Sequence, residues 1–385
     1  MPDVLWGSNK ITELPALLEK LGAKRIVVIT GQSVSQNTTF QKIITSLGER
    51  LAGVFRDVKA HVPQECVEAG ATLCKELHAD TLVSIGGGSA IDTAKAINML
   101  LSEGNDYAQL RQRLDEHGEV VTPNMPKTKL PHIAIPTTLS AAECSGVTGI
   151  TMLNGEGKYL FSSPSLAPQH IIYDPTVTLA TPDELWFTTA LRTLDHAIER
   201  SYSLATTPEN DIMCMEAIKL IFTWLPVNLK THNNLESRLM LMRAAFLSMS
   251  GKSTTCLSHA IGHQLGPRYK NPRFDSTAVT QPCVMAFNRQ NSAAKQKEMA
   301  IAMGLNVKGL SDEEAAIKAE DAVREIIKSI LDAGVTFPTH LRDIGIAKDQ
   351  LEEIATAIWQ SPRLKVNPRP VESADEILEL LNKMW

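Results

Sequence analysis

Short apolar runs alternate with amphipathic stretches through the first half of the chain. Residues 25–30 (RIVVIT) and 81–85 (TLVSI) are rich in β-branched side chains, and each run ends at a glycine, as buried parallel strands often do. Helical spacing over 36–51 and 65–78 separates successive strands, which predicts right-handed βαβ units and a parallel sheet. The other predicted strands are 54–62, 133–136, 146–152 and 170–174.

The pattern changes near residue 180, beyond which helix-forming residues dominate. At the change, Thr181 is predicted as a helix N-cap, Pro182 as the first helical position and Glu184 as the returning carboxylate of a capping box. The predicted helices are 183–205, 209–223, 236–250, 253–266, 276–287, 291–303, 312–333, 348–358 and 373–383. The sequence therefore predicts an α/β domain over residues 1–180 and an all-helical domain over residues 181–385.

Composition and charge narrow the class of protein. The 385 residues include 38 Lys+Arg and 43 Asp+Glu, a net charge of -5, and 43% are hydrophobic, which suits two globular domains. The slight acidic excess argues against nucleic acid as a partner. No apolar run reaches about 18 residues and the N-terminus lacks an apolar signal core, so neither a membrane partner nor secretion is expected.

The cysteines indicate a reducing compartment. Six are scattered without a CxxC pair or a regular spacing: Cys66, Cys74, Cys144, Cys214, Cys256 and Cys283. In a chain of this length that pattern is typical of free thiols and not of a disulfide framework or a zinc site. The expected location is the cytoplasm, and the expected partners are a small-molecule substrate and a second copy of the chain in a homodimer.

A run of glycines follows the third predicted strand. Gly86-Gly87-Gly88-Ser89 lies directly between residues 81–85 and a good helix that starts at Ala90. A strand, a glycine turn and a helix N-terminus together form a phosphate site, because exposed N–H groups and the helix dipole stabilise the anion. A simple tight turn is the alternative. The run is neither GxGxxG nor a P-loop, so a nucleotide kinase is disfavoured.

Five ordered motifs carry a family resemblance. Residues 86–95 (GGGSAIDTAK) are similar to the GGGSxxDxAK signature of the iron-containing alcohol dehydrogenase superfamily. Further matches are Ile135-Pro136-Thr137-Thr138 with Glu143, Lys158 with Pro164, Leu194-Asp195-His196-Ala197-Ile198-Glu199, and 259–266 (HAIGHQLG). The resemblance implies a Rossmann-like domain followed by an all-helical domain, as in dehydroquinate synthase, and an NAD(P)-dependent dehydrogenase or reductase.

The same resemblance implies a nicotinamide cofactor site in the first domain. The pyrophosphate is expected on Gly87, Gly88 and Ser89, and Thr137, Thr138 and Ser145 are expected around the adenine and ribose. Gly86, Asp92 and Lys158 complete the predicted set. Many relatives have an Asp after the first strand, which holds the ribose 2′-hydroxyl, whereas this strand ends at Gly31-Gln32. The missing carboxylate makes NADP(H) permissible beside NAD(H).

The family's metal site is altered in this sequence. Metal-dependent members bind iron or zinc through an Asp and three His, and those positions fall on Arg192, His196, His259 and Arg273. Arginine has no free lone pair and keeps its positive charge, so it cannot ligate a metal. Asp195 is a poor substitute, because it lies about 100° around the helix from His196. A metal is therefore predicted to be absent.

The resulting hypothesis is the reduction of a carbonyl compound without a metal. In this respect the sequence resembles the maleylacetate reductase branch of the superfamily. Arg192 and Arg273 are predicted to replace the metal as fixed positive charges that stabilise an alkoxide or a substrate carboxylate. For Arg192 the alternative is a salt bridge with Glu199 or Asp195. Proton delivery is assigned to three histidines, with the first as the preferred candidate: His263, His259 and His196.

Three other functions stay open at this point. One is a cyclase or lyase that uses the same scaffold without hydride transfer. Another is a metal-dependent alcohol dehydrogenase with altered ligands. The third is a non-catalytic binding protein, although an intact glycine turn favours retained cofactor binding.

Overall fold

The computed structural model describes residues 2–117, 119–153, 157–268 and 276–385. The chain divides into two compact units between Thr181 and Pro182. The strands, all in the first unit, are β1 (Asp3–Trp6), β2 (Ile26–Thr30), β3 (Leu51–Phe55), β4 (Thr81–Gly86), β5 (Arg113–Leu114), β6 (Val120–Val121), β7 (His132–Pro136), β8 (Val147–Thr151), β9 (Lys158–Ser162) and β10 (His170–Tyr173).

Six of these strands form one parallel sheet in the order β1-β10-β7-β4-β2-β3. Side chains of β2 alternate between two apolar cores, with Val27 and Ile29 in one and Ile26 and Val28 in the other. The sheet is thus covered on both faces, which explains its continuous β-branched runs. The chain leaves β2 for β3 on one side and β4 for β7 on the other, so the topological switch point lies between β2 and β4.

The helices of the first unit cover the sheet. They are α1 (Leu14–Lys20), α2 (Gln32–Ser35), α3 (Thr38–Leu47), α4 (Gln64–Glu76), α5 (Gly88–Glu103) and α6 (Tyr107–Leu110). Leu14, Leu18 and Phe40 bring α1 and α3 into one core, and Val67 and Ile97 bring α4 and α5 into the other. Both cores are buried, so each helix is amphipathic with its apolar face on the sheet.

Two predicted strands differ from the structure. The strand predicted at 54–62 is β3, which ends at Phe55; His61 and Val62 take positive φ values of 63° and 55°, which extended chain does not allow. The run 146–152 does form a strand, but it pairs antiparallel with β9 in a separate hairpin. Strands β1 and β9 were not predicted, because both are short or mixed in polarity.

The second unit contains helices throughout its described part. They are α7 (Asp183–Tyr202), α8 (Pro208–Lys230), α9 (Leu235–Ser250), α10 (Leu257–Arg268), α11 (Thr277–Ala302), α12 (Asp312–Asp332), α13 (Leu351–Trp359) and α14 (Ala374–Met384). The predicted helices 276–287 and 291–303 correspond to the two parts of α11, which meet at a kink with non-helical backbone at Ser292. The predicted fold class, a parallel α/β unit followed by a helical one, is confirmed.

The predicted capping box at the start of α7 is wrong. Pro182 takes the N-cap position and gives no side-chain hydrogen bond. Thr181 instead donates its hydroxyl to the carbonyl of Thr137, at 2.8 Å. That bond ties the end of the first unit to the loop after β7.

Helix α8 is long and apolar enough to cross a membrane by length and composition alone. Its apolar face is covered in the structure, where Ala217, Ile218, Ile221 and Leu225 are buried. A core helix of a globular unit passes the same test of length and composition. The helix therefore adds little weight to a membrane partner.

Candidate active site

The glycine turn lies at the switch point of the sheet. Strand β4 ends at Gly86, whose φ of 152° favours glycine, and α5 begins two residues later. A Cβ on Gly88 would lie 2.9 Å from the Ser140 hydroxyl, so glycine permits the close approach of this loop. Thr137 donates its N–H to the Gly86 carbonyl, at 2.9 Å. The predicted phosphate-binding turn and the segment that begins at Thr137 are thus in contact.

A buried lysine fixes the loop that follows. Lys95 of α5 is fully buried, and its Nζ donates to the carbonyls of Ala142 and Val147 at 2.6 and 2.7 Å. Asp92, one turn earlier, lies 2.9 Å from the same Nζ. The acidic and the basic residue of the GGGSxxDxAK motif therefore pair with each other. Asp92 stays a predicted cofactor residue, but its carboxylate already has this structural contact.

The structure separates two of the predicted cofactor residues. Ser145 lies two residues before the start of β8, whereas Lys158 pairs with Thr151 at the far end of the β8–β9 hairpin. The strand between them has five residues and is about 14 Å long. Thr151 also donates its hydroxyl to the His61 carbonyl, at 2.8 Å. Burial lowers the pKa of the His61 imidazole, and the charge of Lys158 lowers it further. Lys158 and Ser145 therefore cannot both contact one small group.

A carboxylate, Asp57, does stand beside the end of β2, two residues beyond the end of β3. Gln32, just after β2, donates its side-chain amide to Asp57 Oδ1 at 3.3 Å, and Gly31 forms a β-bridge with Asp57. Both side chains line an open cavity of about 930 Å³, together with Arg56. Asp57 carries no signal in the sequence, because only a long-range contact brings it beside the end of β2.

Two buried histidines form the centre of the second unit's polar cluster. His196 of α7 and His259 of α10 stack with ring centroids 4.8 Å apart, and each is only 5% exposed. Glu199, one turn beyond His196, is fully buried and lies 2.8 Å from His259 Nδ1. The same carboxylate accepts backbone N–H groups of Cys256 and Ser258 at the start of α10, at 2.8 and 2.6 Å.

Asp195 faces His259 and not a site shared with His196. Its Oδ2 lies 3.4 Å from His259 Nδ1 and accepts the Ser258 hydroxyl at 3.1 Å. Asp195 and Glu199 are four residues apart on α7, so they lie on the same face and meet the N-terminal turn of α10 together. The positive end of that helix stabilises both carboxylates.

Burial and positive charge keep the two imidazoles neutral. Burial lowers the pKa of His196 and of His259 well below the usual value, and the nearby charges of Arg192, Arg200 and Arg363 lower both further. Burial also raises the pKa of Glu199 to about 7, against the effect of its backbone hydrogen bonds. The site therefore holds neutral imidazoles between carboxylates and arginine charges at neutral pH.

The contact with Glu199 sets the orientation of His259. When Nδ1–H donates to the carboxylate, Nε2 carries the lone pair. His259 Nε2 and His196 Nδ1 are buried and have no hydrogen-bond partner within the described part of the chain. Two ring nitrogens are thus open to a ligand or a substrate.

The other predicted catalytic residues occupy different places. Arg192 is half-buried on α7, one turn before His196. His263 lies one turn after His259 on α10, but its side chain is exposed. Arg273 lies outside the described residues. Arg363, which was not among the predicted residues, lowers the pKa of both buried imidazoles by its charge.

Comparison with known proteins decides the family. The family model described as iron-containing alcohol dehydrogenase matches residues 2–175, and the C-terminal model of the same family matches residues 187–385. The chain belongs to the iron-containing alcohol dehydrogenase family. It is therefore a dehydrogenase or reductase, and the predicted enzyme class is confirmed.

Relatives of different activities match this family member about equally well. An NAD-dependent methanol dehydrogenase of Bacillus methanolicus is 27% identical, covering 99% of this chain and 97% of its own. Maleylacetate reductase 1 of Cupriavidus pinatubonensis is 26% identical, covering 97% and 92%. The solved structure of an alcohol dehydrogenase from Oenococcus oeni has a TM-score of 0.90 at 25% identity and covers 100% and 99%. Overall sequence similarity to these relatives therefore does not identify the substrate.

The residues of this site fit poorly with the iron that the family name implies. Ligand atoms of Asp195, Glu199 and His259 lie within 4.8 Å of one another. However, both carboxylates already accept hydrogen bonds from α10, and His259 offers them Nδ1. Arg192, at a position where metal-dependent members have a ligand, adds a positive charge beside both imidazoles. That charge disfavours a divalent cation there.

Proposed function

We propose that this family member reduces a carbonyl compound with a nicotinamide cofactor and without a catalytic metal. The observation that carries the proposal is the buried pair of His259 and Glu199, in which a carboxylate orients the imidazole and Nε2 is open. This is the arrangement of an acid–base histidine. In relatives with a metal, the same histidine would instead be a ligand.

Positive side chains take over the stabilisation of charge. Arg192 lies one turn before His196 and raises the local positive potential at both imidazoles. A fixed guanidinium stabilises an oxygen that becomes negative as hydride adds to the carbonyl carbon. Arg273 is proposed in the same role from the sequence alone.

Proton transfer is assigned to His259. As an alcohol is oxidised, Nε2 accepts the hydroxyl proton, and the imidazolium that forms is stabilised by Glu199 at 2.8 Å and by Asp195 at 3.4 Å. In the direction of carbonyl reduction, Nε2 first takes up a proton from solvent and then gives it to the alkoxide oxygen, which leaves the imidazole neutral again. His263 remains a candidate for exchange with solvent, because its side chain is exposed.

The nicotinamide cofactor, when bound, supplies or accepts the hydride. The glycine turn from Gly86 to Ser89 and the adjoining Thr137 and Thr138 offer backbone and hydroxyl groups to its phosphates and ribose. Asp57, at the ribose side of the switch point, would accept hydrogen bonds from ribose hydroxyls and repel a 2′-phosphate. NAD(H) is therefore proposed as the preferred form, with NADP(H) as the weaker one.

The decisive experiment measures metal content and turnover on the same sample. Protein purified without added metal is expected to hold substoichiometric iron and zinc, and to oxidise NADH with a panel of aldehydes and oxo acids. A chelator is expected to leave the rate unchanged. Near-stoichiometric metal, with activity lost when it is removed, would overturn the metal-free assignment.

A titration of the protein with NADH and with NADPH separates the alternative functions. NADH that binds, as seen by energy transfer from tryptophan, but is not consumed with any carbonyl would favour a cyclase or lyase. Absence of binding by both NADH and NADPH would favour a non-catalytic protein.

A further inference from the structure

Arg363 is an arginine held against the polar cluster of the second unit. It lies in a short 3-10 helix, Pro362–Val366, and its Nη1 donates to the hydroxyls of Thr255 and Thr254, at 2.6 and 3.4 Å. The residue after Thr255 is Cys256, whose N–H donates to Glu199. One short segment therefore joins the guanidinium of Arg363 to the carboxylate that orients His259.

The end of the 3-10 helix is anchored to the same place. The Val366 carbonyl accepts the backbone N–H of Leu204 at 2.9 Å and lies 3.5 Å from the sulfur of Cys256. These bonds fix the backbone on which Arg363 stands. The position of its guanidinium is thus built into the fold and does not depend on a flexible surface chain.

Arg363 has no carboxylate partner within 4.0 Å in the part of the chain that the structure describes. Other arginines of the second unit do have one, as in the pairs Arg324–Glu320 and Arg369–Glu376. Its side-chain hydrogen bonds are to two neutral threonine hydroxyls and use only Nη1. A guanidinium stays protonated, so the positive charge is retained, and the carboxylate of Glu199 favours it from beyond salt-bridge distance.

Arg192 adds a second positive charge in the same region. Both arginines, together with Arg200, lower the pKa of both buried imidazoles. Burial lowers the pKa of Arg363 itself, Glu199 raises it and Arg192 lowers it further. Like charges close together cost free energy in a folded unit, and an anion bound between them would remove that cost. Guanidinium groups bind carboxylates with two parallel hydrogen bonds, which fixes the orientation of the bound molecule.

We propose that Arg363 binds a carboxylate of the substrate, with the charge of Arg192 beside it, so that the natural substrate is an oxo acid and not a neutral aldehyde. The inference rests on the proposed function and names its substrate class. The carboxylate would be held at Arg363 while the carbonyl oxygen lies near His259. Arg363 is then the residue that determines specificity.

Kinetics with two matched aldehydes test the proposal. 4-Oxobutanoate and butanal differ in a carboxylate and a methyl group, and the wild-type enzyme is expected to have the lower KM for 4-oxobutanoate. Arg363→Gln is expected to raise that KM by at least about 10-fold, the value of one charge-assisted hydrogen bond, and to leave the KM for butanal within about 3-fold. Arg363→Lys keeps the charge, so its KM for 4-oxobutanoate is expected to lie between those of the wild type and of Arg363→Gln.

Two further measurements separate substrate binding from a structural role. Thr255→Val removes the hydroxyl contact but leaves the charge, so it is expected to keep the preference for 4-oxobutanoate. Binding of succinate, measured by calorimetry, is expected to be lost in Arg363→Gln, with circular dichroism showing an unchanged fold. An equal rise in KM for both aldehydes in Arg363→Gln would overturn the proposal. The same rise in KM for 4-oxobutanoate in Thr255→Val would also overturn it.

The outcomes also distinguish this inference from the proposed function. If the wild type binds succinate through Arg363 but reduces neither aldehyde with NADH or NADPH, the subsite is upheld and the reductase function fails. If both aldehydes are reduced and Arg363→Gln changes neither KM, the function is upheld and the subsite fails.

Discussion

At the scale of single residues, Glu199 explains how the site orients its histidine. A buried carboxylate normally loses its charge, yet Cys256 and Ser258 donate backbone N–H groups to this one at 2.8 and 2.6 Å. These bonds favour the charged form, while burial raises the pKa to about 7. His259 Nδ1, at 2.8 Å, completes the set. Glu199 is thus a positioning residue, since it acts on the substrate only through His259.

Glu199→Gln should lower kcat by about 10–100-fold, because a carboxamide keeps the volume but neither stabilises an imidazolium nor holds Nδ1–H as strongly. The KM for the carbonyl substrate should change little, since Glu199 does not touch it. Steady-state kinetics over a range of pH measure both, and the acidic limb of the kcat profile should shift in the variant.

A double-mutant cycle provides the control. His259→Gln alone and the double variant should be equally slow, because the two residues act as one unit. Glu236→Gln, on the exposed face of α9, should leave the kinetics unchanged. Additive losses in the cycle would show that Glu199 acts independently of His259.

Asp57 sets a second expectation at this scale, for the choice of cofactor. Its carboxylate, 3.3 Å from the amide of Gln32, stands where a 2′-phosphate would be repelled. Asp57→Ala should weaken the binding of NADH and strengthen the binding of NADPH. The ratio of their dissociation constants should therefore change by about 10-fold or more. Tryptophan fluorescence titrations measure it without turnover, and an unchanged ratio would remove Asp57 from the cofactor site.

Sequence motifs predicted some of these residues and not others. His196, His259 and Arg192 stand at positions that the family pattern marks, and the structure groups both histidines in one buried cluster. Arg363 and Asp57 carry no motif, because long-range contacts bring them to their places. His263 shares the helix face spacing of His259, yet it is exposed, since helical spacing does not state how far along a helix the burial extends.

At the scale of elements, Lys95 shows how α5 supports the candidate cofactor loop. Its ammonium is fully buried and joins α5 to the carbonyls of Ala142 and Val147, on either side of Ser145. The sequence predicted the strand, turn and helix here correctly, since each has a strong local signal. The lysine's contacts were not predictable, because its partners lie about 50 residues away on backbone groups of a loop.

Lys95→Met should destabilise the enzyme by about 2–4 kcal/mol, because two carbonyls and the Asp92 carboxylate lose their buried donor. NADH affinity should fall as well, since the loop that adjoins the glycine turn loses its anchor. Urea denaturation and fluorescence titration measure the two effects. The matched control is Lys42→Met on the exposed side of α3, which should stay within about 0.5 kcal/mol of the wild type. Equal stability of the two variants would contradict the structural role of Lys95.

At the scale of the whole molecule, alternation of strands and helices followed by helices alone was enough to predict the fold class. The parallel sheet is buried on both faces, which explains the continuous β-branched runs of β2 and β4. Strand order was not predictable, because β1 and β10 pair across most of the first unit. The same burial creates a polar position inside the sheet: His132 on β7 is fully buried and bonds the Ser84 hydroxyl of β4 at 2.8 Å.

His132 makes the stability of the enzyme depend on pH. Burial, with a smaller effect from Lys95, lowers the pKa of this imidazole to about 3, against 6.5 in an exposed histidine. The unfolded chain therefore binds a proton that the folded chain refuses, so the contribution is fully present above pH 6.5 and is lost as the pH falls toward about 3. In that window the free energy of unfolding should fall by up to about 1.4 kcal/mol per pH unit on account of this residue. His132→Gln keeps a polar group near Ser84 and cannot titrate, so its urea-denaturation free energies should depend less steeply on pH between 6 and 4 by about that amount. Parallel curves for the two proteins would show that His132 is not held neutral by the sheet.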